Sequence, residues 1–204
     1  MLPLICEINT LWEPVYPHLA RHIGEVCGRR AGSVLEVGPF CGVVYDLVRQ
    51  GIGSSFRIAF FPRGMDTFYK GEIERRSMGD TVEIVETSPD LSGIEDDTID
   101  LLVFRGALFF PSLFKVDHQA ILRVLRPGGT AFVGGGFGKY TPPELIRPLA
   151  DRSRELNYLI GKKETTIDDI RKDLKAAGIT ENAEVVTEGG LWVVLKKPLE
   201  PLER

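Results

Sequence analysis

A chain of 204 residues, 43% hydrophobic and 26% charged, is long enough to bury one core without staples and reads as a single soluble domain. Its net charge of −4, with no run of Lys and Arg, excludes broad attraction to a phosphate backbone, so nucleic acid is not expected as a partner. No apolar stretch reaches the roughly 18 to 20 residues that span a bilayer, no charged-then-apolar leader opens the chain, and Cys6, Cys27 and Cys41 follow no disulfide pattern. The expectation is a cytoplasmic protein with reduced thiols and no membrane contact.

Trp12, Val15, Tyr16, Leu19, Ile23 and Val26 recur at helical spacing with Arg21, Glu25 and Arg29 opposite, which predicts an amphipathic helix ahead of any sheet. Pro14 and Pro17 confine its start to the first turn. His18 and His22 share one side of it at metal-ligand spacing, but no third ligand follows and no metal is expected. Next comes Val34-Leu-Glu-Val-Gly-Pro-Phe-Cys-Gly42, an apolar run closing on a glycine-bearing turn, as a buried parallel strand does where it hands over to a helix. In an open α/β sheet, ligands bind outside the carboxyl ends of the strands, where a missing Cβ allows close approach and a helix N-terminus offers free N–H donors. Gly38 and Gly42 supply the missing side chains, and Glu36 a carboxylate.

Residues 43–49 continue as a helix that Gly51-Ile-Gly53 stops. Strands follow at 56–60, 82–85 and 101–104, with a helix over 65–77 between the first two of these. Ala120, Ile121, Val124 and Leu125 give the next helix its buried face, Pro127-Gly-Gly129 ends it, and 130–133 is the fifth strand. That strand runs into Gly134-Gly-Gly-Phe-Gly-Lys139, which lacks Walker spacing and reads as a mobile loop beside a binding site, with an anion nest and a plain turn as alternatives. Thr141 and Glu144 predict a capping box ahead of a helix through Ile160 and Gly161, and Thr166 caps a second over 167–177. Two last strands, 183–187 and 191–196, are joined by Glu188-Gly-Gly190, a turn short enough to demand an antiparallel hairpin. The chain thus divides into a leading cap at 1–30, a core at 31–197 and a frayed tail at 198–204.

At Glu36, Gly38 and Gly42 the chain resembles the class I S-adenosylmethionine-dependent methyltransferases, whose first motif reads roughly acid-x-Gly-x-Gly-x-Gly after a hydrophobic strand; Phe40 stands at the middle glycine. Asp100-Leu-Leu-Val103 looks like that family's fourth strand, and Leu125-Arg-Pro-Gly-Gly129 like its turn into the fifth. The resemblance covers residues 33 to about 133, and the closing hairpin fits it too. It implies a Rossmann-like α/β fold: seven strands, mostly parallel, with a C-terminal antiparallel hairpin and helices on both faces. A nicotinamide-dinucleotide fold would put its second and third glycines on Phe40 and Val43, and so loses.

The resemblance implies S-adenosylmethionine as cofactor, held by Glu36, Gly38, Phe40 and Gly42 in the first loop, Phe61 at the second strand end, Thr87 and Ser88 at the third, and Arg105 at the fourth. Two acids usual in the family are replaced. Ala59-Phe-Phe-Pro-Arg63 stands where a carboxylate holds the ribose, and Thr87-Ser88 where one holds the adenine. Bonds to a charged acceptor contribute about 1.5–3 kcal/mol, so their loss weakens binding on the order of ten- to a hundredfold. Asp66 is the nearest carboxylate that could deputise, whereas Arg63 suggests a phosphate-bearing ligand. Trp12 and Tyr16 are lid candidates or, by the blander reading, core. Arg105 either binds a substrate carboxylate or phosphate or forms a surface ion pair, and Phe109 and Phe110 line an acceptor pocket, a subunit contact or, by preference, the core.

The expected function is methyl transfer to a small molecule, a reaction in which the protein chiefly holds the acceptor in line. His18, His22 and Tyr140 are the base candidates for an acceptor that must lose a proton. A homodimer is compatible with this reading. The alternative is a methyltransferase-like binding or regulatory protein that has lost catalysis, warranted by the departures at residues 40, 61–62 and 87–88.

Overall fold

The computed structural model describes residues 1–27 and 32–199. Seven strands form one sheet: β1 (Ser33–Val37), β2 (Ser55–Phe60), β3 (Val82–Glu86), β4 (Ile99–Arg105), β5 (Leu125–Gly135), β6 (Ala183–Val186) and β7 (Leu191–Lys196). Their order is β3-β2-β1-β4-β5-β7-β6, with β1 to β5 parallel and β7 antiparallel to both β5 and β6. This is the expected sheet, hairpin included. Consecutive residues of β1 and β4 are buried, which requires cover on both faces, while the edge strands β3 and β6 are half-exposed. The order reverses between β1 and β4, so the crevice at their carboxyl ends is where this architecture places a ligand.

The helices are α1 (Leu2–Leu11), α2 (Tyr16–Cys27), α3 (Val44–Arg49), α4 (Asp66–Arg75), α5 (His118–Val124), α6 (Pro143–Ile160) and α7 (Ile167–Ala176). Three differ from expectation. The leading segment is two helices joined by a 3₁₀ turn at Glu13–Val15, and the first of them, which buries Ile5, Ile8 and Asn9, has no counterpart among the expected elements. Pro17 sits in the first turn of α2, where its missing N–H costs nothing. Helix α5 ends at Val124, and Leu125, expected on its buried face, is extended and pairs with Ile99, so the Pro127-Gly-Gly129 stretch lies inside β5 at a register shift. Thr141 does not cap α6: its hydroxyl donates to the Phe137 carbonyl and Pro142 takes the N-cap, leaving the box with Glu144 unformed. Thr166 and Asp169 do close a capping box on α7. Arg29, the boundary at residues 30–31 and tail residues 200–204 lie outside the described residues.

Candidate active site

Glu36 ends β1 fully buried and turns its carboxylate under the following loop. It accepts the backbone N–H of Gly42 (2.9 Å), Val43 (3.2 Å) and Val44 (2.8 Å), and so serves the open N-terminus of α3 from within. Burial pushes its pKa up to about 7, against the lowering effect of these N–H groups and of Arg105. Gly38 adopts φ +102°, and its N–H bonds the Ala59 carbonyl; a Cβ there would lie 2.7 Å from the Phe104 ring. The Cys41 N–H reaches Tyr69 Oη (3.3 Å), which in turn donates to the Pro39 carbonyl (2.9 Å). The N–H groups of Gly38, Cys41, Gly42, Val43 and Val44 therefore have protein acceptors already. Gly42 is glycine for a reason internal to the fold, because any Cβ would run into the Tyr16 ring.

Arg105 ends β4 with 4% of its surface exposed and forms no surface ion pair. Its Nε donates to the Phe40 carbonyl (2.9 Å), and Nη2 to Asn9 Oδ1 (3.0 Å) and Tyr16 Oη (2.6 Å). Tyr16 passes its own proton to the Asn9 carbonyl (3.1 Å), and Asn9 Nδ2 holds the Pro39 carbonyl (2.8 Å). Burial raises the Tyr16 pKa further than Arg105 lowers it, so the phenol stays a donor. One guanidinium thus ties α1 and α2 to the loop after β1, and Tyr16 belongs to this clamp.

Phe40 and Phe61 both turn inward, 2% and 6% exposed. The Phe40 ring lies 4.7 Å from that of Phe110 and against Gly106, and Phe61 sets its edge on Phe104 (5.9 Å) and Phe114 (5.2 Å). Aromatic rings therefore occupy the crevice between the ends of β1, β2 and β4. Asp66, the candidate for the missing ribose anchor, pairs with Lys70 (3.3 Å), and Arg63 pairs with Glu86 (3.0 Å). Thr87 and Ser88 spend their hydroxyls within their own loop, on the Ser92 carbonyl and on Asp90 and Ser92. In this conformation Phe40 and Phe61 stand in the crevice, and an adenosyl group could enter only if they moved.

Two cavities flank the filled crevice. One, of about 540 Å³, opens over the ends of β4 and β5 and is walled by Trp12, Phe40, Phe109, Phe110 and Phe137, with Arg105 also lining it. Trp12 stacks flat on Phe137 (4.7 Å, 5°) and is pinned by its Nε1 to Ser153 Oγ (3.0 Å), so it is a cavity wall as well as a packed residue. Gly135 and Gly136 border this cavity, and Gly138 bonds the Gly189 carbonyl (2.7 Å); the glycine-rich run is a close-packed neighbour of the β6–β7 turn beside the cavity. The other cavity, about 760 Å³, lies across the 106–114 segment and is lined by Ser88, Ala107, Leu108, Phe114 and His118. The polar wall contributed by Ser153, Asn157 and Lys162 had no signal in the sequence beyond the polar face of α6.

His22 is buried with its Nδ1 accepting the Lys139 N–H (3.4 Å), and burial lowers its pKa. Tyr140 is engaged by Glu25 and lies under Arg21. Neither they nor His18 line these two cavities. No cluster of His, Cys, Asp and Glu fit to hold a metal occurs among the described residues, and no helix among them is long and apolar enough to cross a membrane.

The strand order, the reversed last strand and the carboxylate-braced loop after β1 define the class I methyltransferase fold, and the chain is structurally related to the S-adenosylmethionine-dependent methyltransferases that carry it. A structure from Methanococcus maripaludis, provisionally assigned as an S-adenosyl-L-methionine-dependent methyltransferase, superposes with a TM-score of 0.78 at 25% identity, covering 98% of this chain and 94% of that one. An S-adenosylmethionine-dependent methyltransferase from Aquifex aeolicus gives 0.60 at 17% identity over 94% and 96% of the two chains. PigF with S-adenosylhomocysteine gives 0.60 at 17% identity over 93% of this chain and 56% of that one. No family model and no curated protein matches the sequence.

Proposed function

We propose that the protein is an S-adenosylmethionine-dependent methyltransferase acting on a small molecule. The observation that carries this reading is the sheet: the order β3-β2-β1-β4-β5-β7-β6 with a reversed β7, and the reversal of strand order between β1 and β4 where such a sheet takes its ligand. Support comes from the M. maripaludis structure, which matches nearly the whole chain, cap helices included. The 540 Å³ cavity at the ends of β4 and β5 has the size of a small-molecule site, typically about 300–1,000 Å³, and is the acceptor side of this reading. Cofactor entry requires Phe40 and Phe61 to swing out of the crevice.

A second reading, a methyltransferase-like binding protein that no longer takes the cofactor, would keep those inward rings in place. Calorimetric titration with S-adenosylhomocysteine separates the two. Measurable heat with one site per chain supports the enzyme; no detectable heat at millimolar ligand sinks it.

A further inference from the structure

The 540 Å³ cavity has a chemistry of its own, which the cofactor question does not use. Its walls are largely aromatic: the stacked pair Trp12 and Phe137, and the phenylalanines Phe40, Phe109 and Phe110, of which Phe40 and Phe110 pack on each other. Arg105 lines it as a buried cation whose hydrogen-bond partners, the Phe40 carbonyl, Asn9 and Tyr16, are all uncharged. Nε and Nη2 make every one of those bonds, and Nη1 has no partner among the described residues. Nor is Nη1 sealed off, since it is not one of the fully buried nitrogens and oxygens that lack a partner. Lys162 holds its ammonium 4.9 Å over the Phe109 ring, and Lys163 and Arg154, the latter paired with Asp151 (2.9 Å), also line the cavity, whose lining includes one acid, Glu164, in a chain of net charge −4.

A guanidinium fixed on two nitrogens presents its third in a set direction, and planar delocalised Arg is the side chain suited to a carboxylate. The hydrogen-bond partners of Arg105 are neutral, and the carboxylate it acts on, Glu36, is held by burial near a pKa of about 7 and spent on three N–H groups. Arg105 is therefore only partly compensated, and an anion brought to it gains more than it would at an exposed site. Aromatic walls select the rest of the ligand.

We propose that this cavity binds an aromatic carboxylate, its carboxylate on Arg105 Nη1 and its ring against the wall formed by Trp12, Phe137 and the phenylalanines. Its label as the methyl acceptor rests on the methyltransferase reading; binding itself does not.

The test is titration of the full chain, without cofactor, by 2-naphthoate and by its neutral isostere 2-naphthamide. The acid should bind at least about tenfold more tightly than the amide, the difference a hydrogen bond to a charged group makes. Added salt should shrink the gap, and Lys162→Ala should weaken the acid several-fold more than the amide. Arg105→Met should abolish the preference. Because that variant also loses the clamp on Asn9 and Tyr16 and can fail to fold, the acid-to-amide ratio in the native protein stands as the deciding measurement. Equal binding of the two, or none at millimolar concentration, overturns the proposal. Competition by S-adenosylhomocysteine also overturns it, because the anion seat would then be the cofactor's own. Naphthoate binding where S-adenosylhomocysteine gives no heat upholds the site and defeats the methyltransferase reading; the reverse pattern defeats the site alone.

Discussion

The two halves of the strand-end crevice are built in opposite ways. Over β1 and β2 the loop donors reach Glu36, Ala59 and Tyr69, the carbonyls of residues 39 and 40 are taken by Asn9, Tyr69 and Arg105, and rings fill the space between. Over β4 and β5 a cavity remains, lined by Arg105 and Lys162 among others. Buried polar groups that satisfy one another specify a rigid structure, whereas donors facing a cavity are free to recognise something else. The first half therefore reads as architecture and the second as recognition, although the sequence motifs of a cofactor site fall on the first.

The sharpest way to break this contrast is Glu36→Ala. Three buried N–H groups would lose their acceptor at once, and each unsatisfied group costs about 1–3 kcal/mol, so a loss on the order of 5 kcal/mol is expected in urea denaturation. A loss below about 1 kcal/mol would mean that the loop is not held from within. Phe40→Ala comes next. Removing the ring forfeits its packing on Phe110 and Gly106, at about 3 kcal/mol, the lower end of the range for Phe→Ala because the ring borders a cavity. It also joins the filled crevice to the open cavity. If the ring is a gate, S-adenosylhomocysteine should bind the variant more tightly than the native chain, even as the variant melts earlier; unchanged affinity makes the ring a wall.

How much of this was legible in the sequence divides along the same line. The apolar runs of β1 and β4 and the two-glycine hairpin turn are local signals, and they placed the sheet correctly. Glu36, Gly38 and Gly42 were visible as residues, but not their physical purpose, since Gly42 makes room for Tyr16, 26 positions earlier in the chain. Arg105 was singled out, while its partners Asn9 and Tyr16 lie 96 and 89 residues away on helices whose approach no local pattern announces. Helix α1 escaped notice because its buried face is only Ile5, Ile8 and the polar Asn9, with Asn9 and Thr10 poor helix formers, so tertiary packing on the loop and on α6 decides it. The basic side of the cavity comes from residues 154–163, after the sheet's fifth strand, and carries no motif at all.

A smaller effect sharpens the contrast through pH. Glu36 titrates near 7 when folded, against 4.5 for an ordinary glutamate, so between those values the folded chain holds a proton that the unfolded chain has released. Its contribution is therefore fully present at pH 4 and is lost as pH rises through 7. The loss is at most about 3.5 kcal/mol, since each tenfold difference in proton affinity between the two states is worth about 1.4 kcal/mol. Unfolding free energies of the native chain and of Glu36→Gln, measured from about pH 5 to pH 8, should differ in slope, the native protein losing more. Parallel curves would show that the three N–H donors keep the group ionised throughout.

The smallest expected effect concerns the residue that pointed to a phosphate. Arg63 pairs with Glu86 at 3.0 Å, but its side chain is 87% exposed and that of Glu86 46%, and exposed pairs of this kind contribute about 0–1 kcal/mol. Arg63→Ala should change stability by less than about 0.5 kcal/mol and leave titrations with both S-adenosylhomocysteine and 2-naphthoate where they were. A loss of affinity for either would move the recognition surface to the β2 side of the crevice, against the division drawn above. The division predicts silence there for a physical reason: a guanidinium already open to water gains little by meeting an anion, whereas Arg105, stripped of water and with only neutral hydrogen-bond partners, has more to gain from the same encounter.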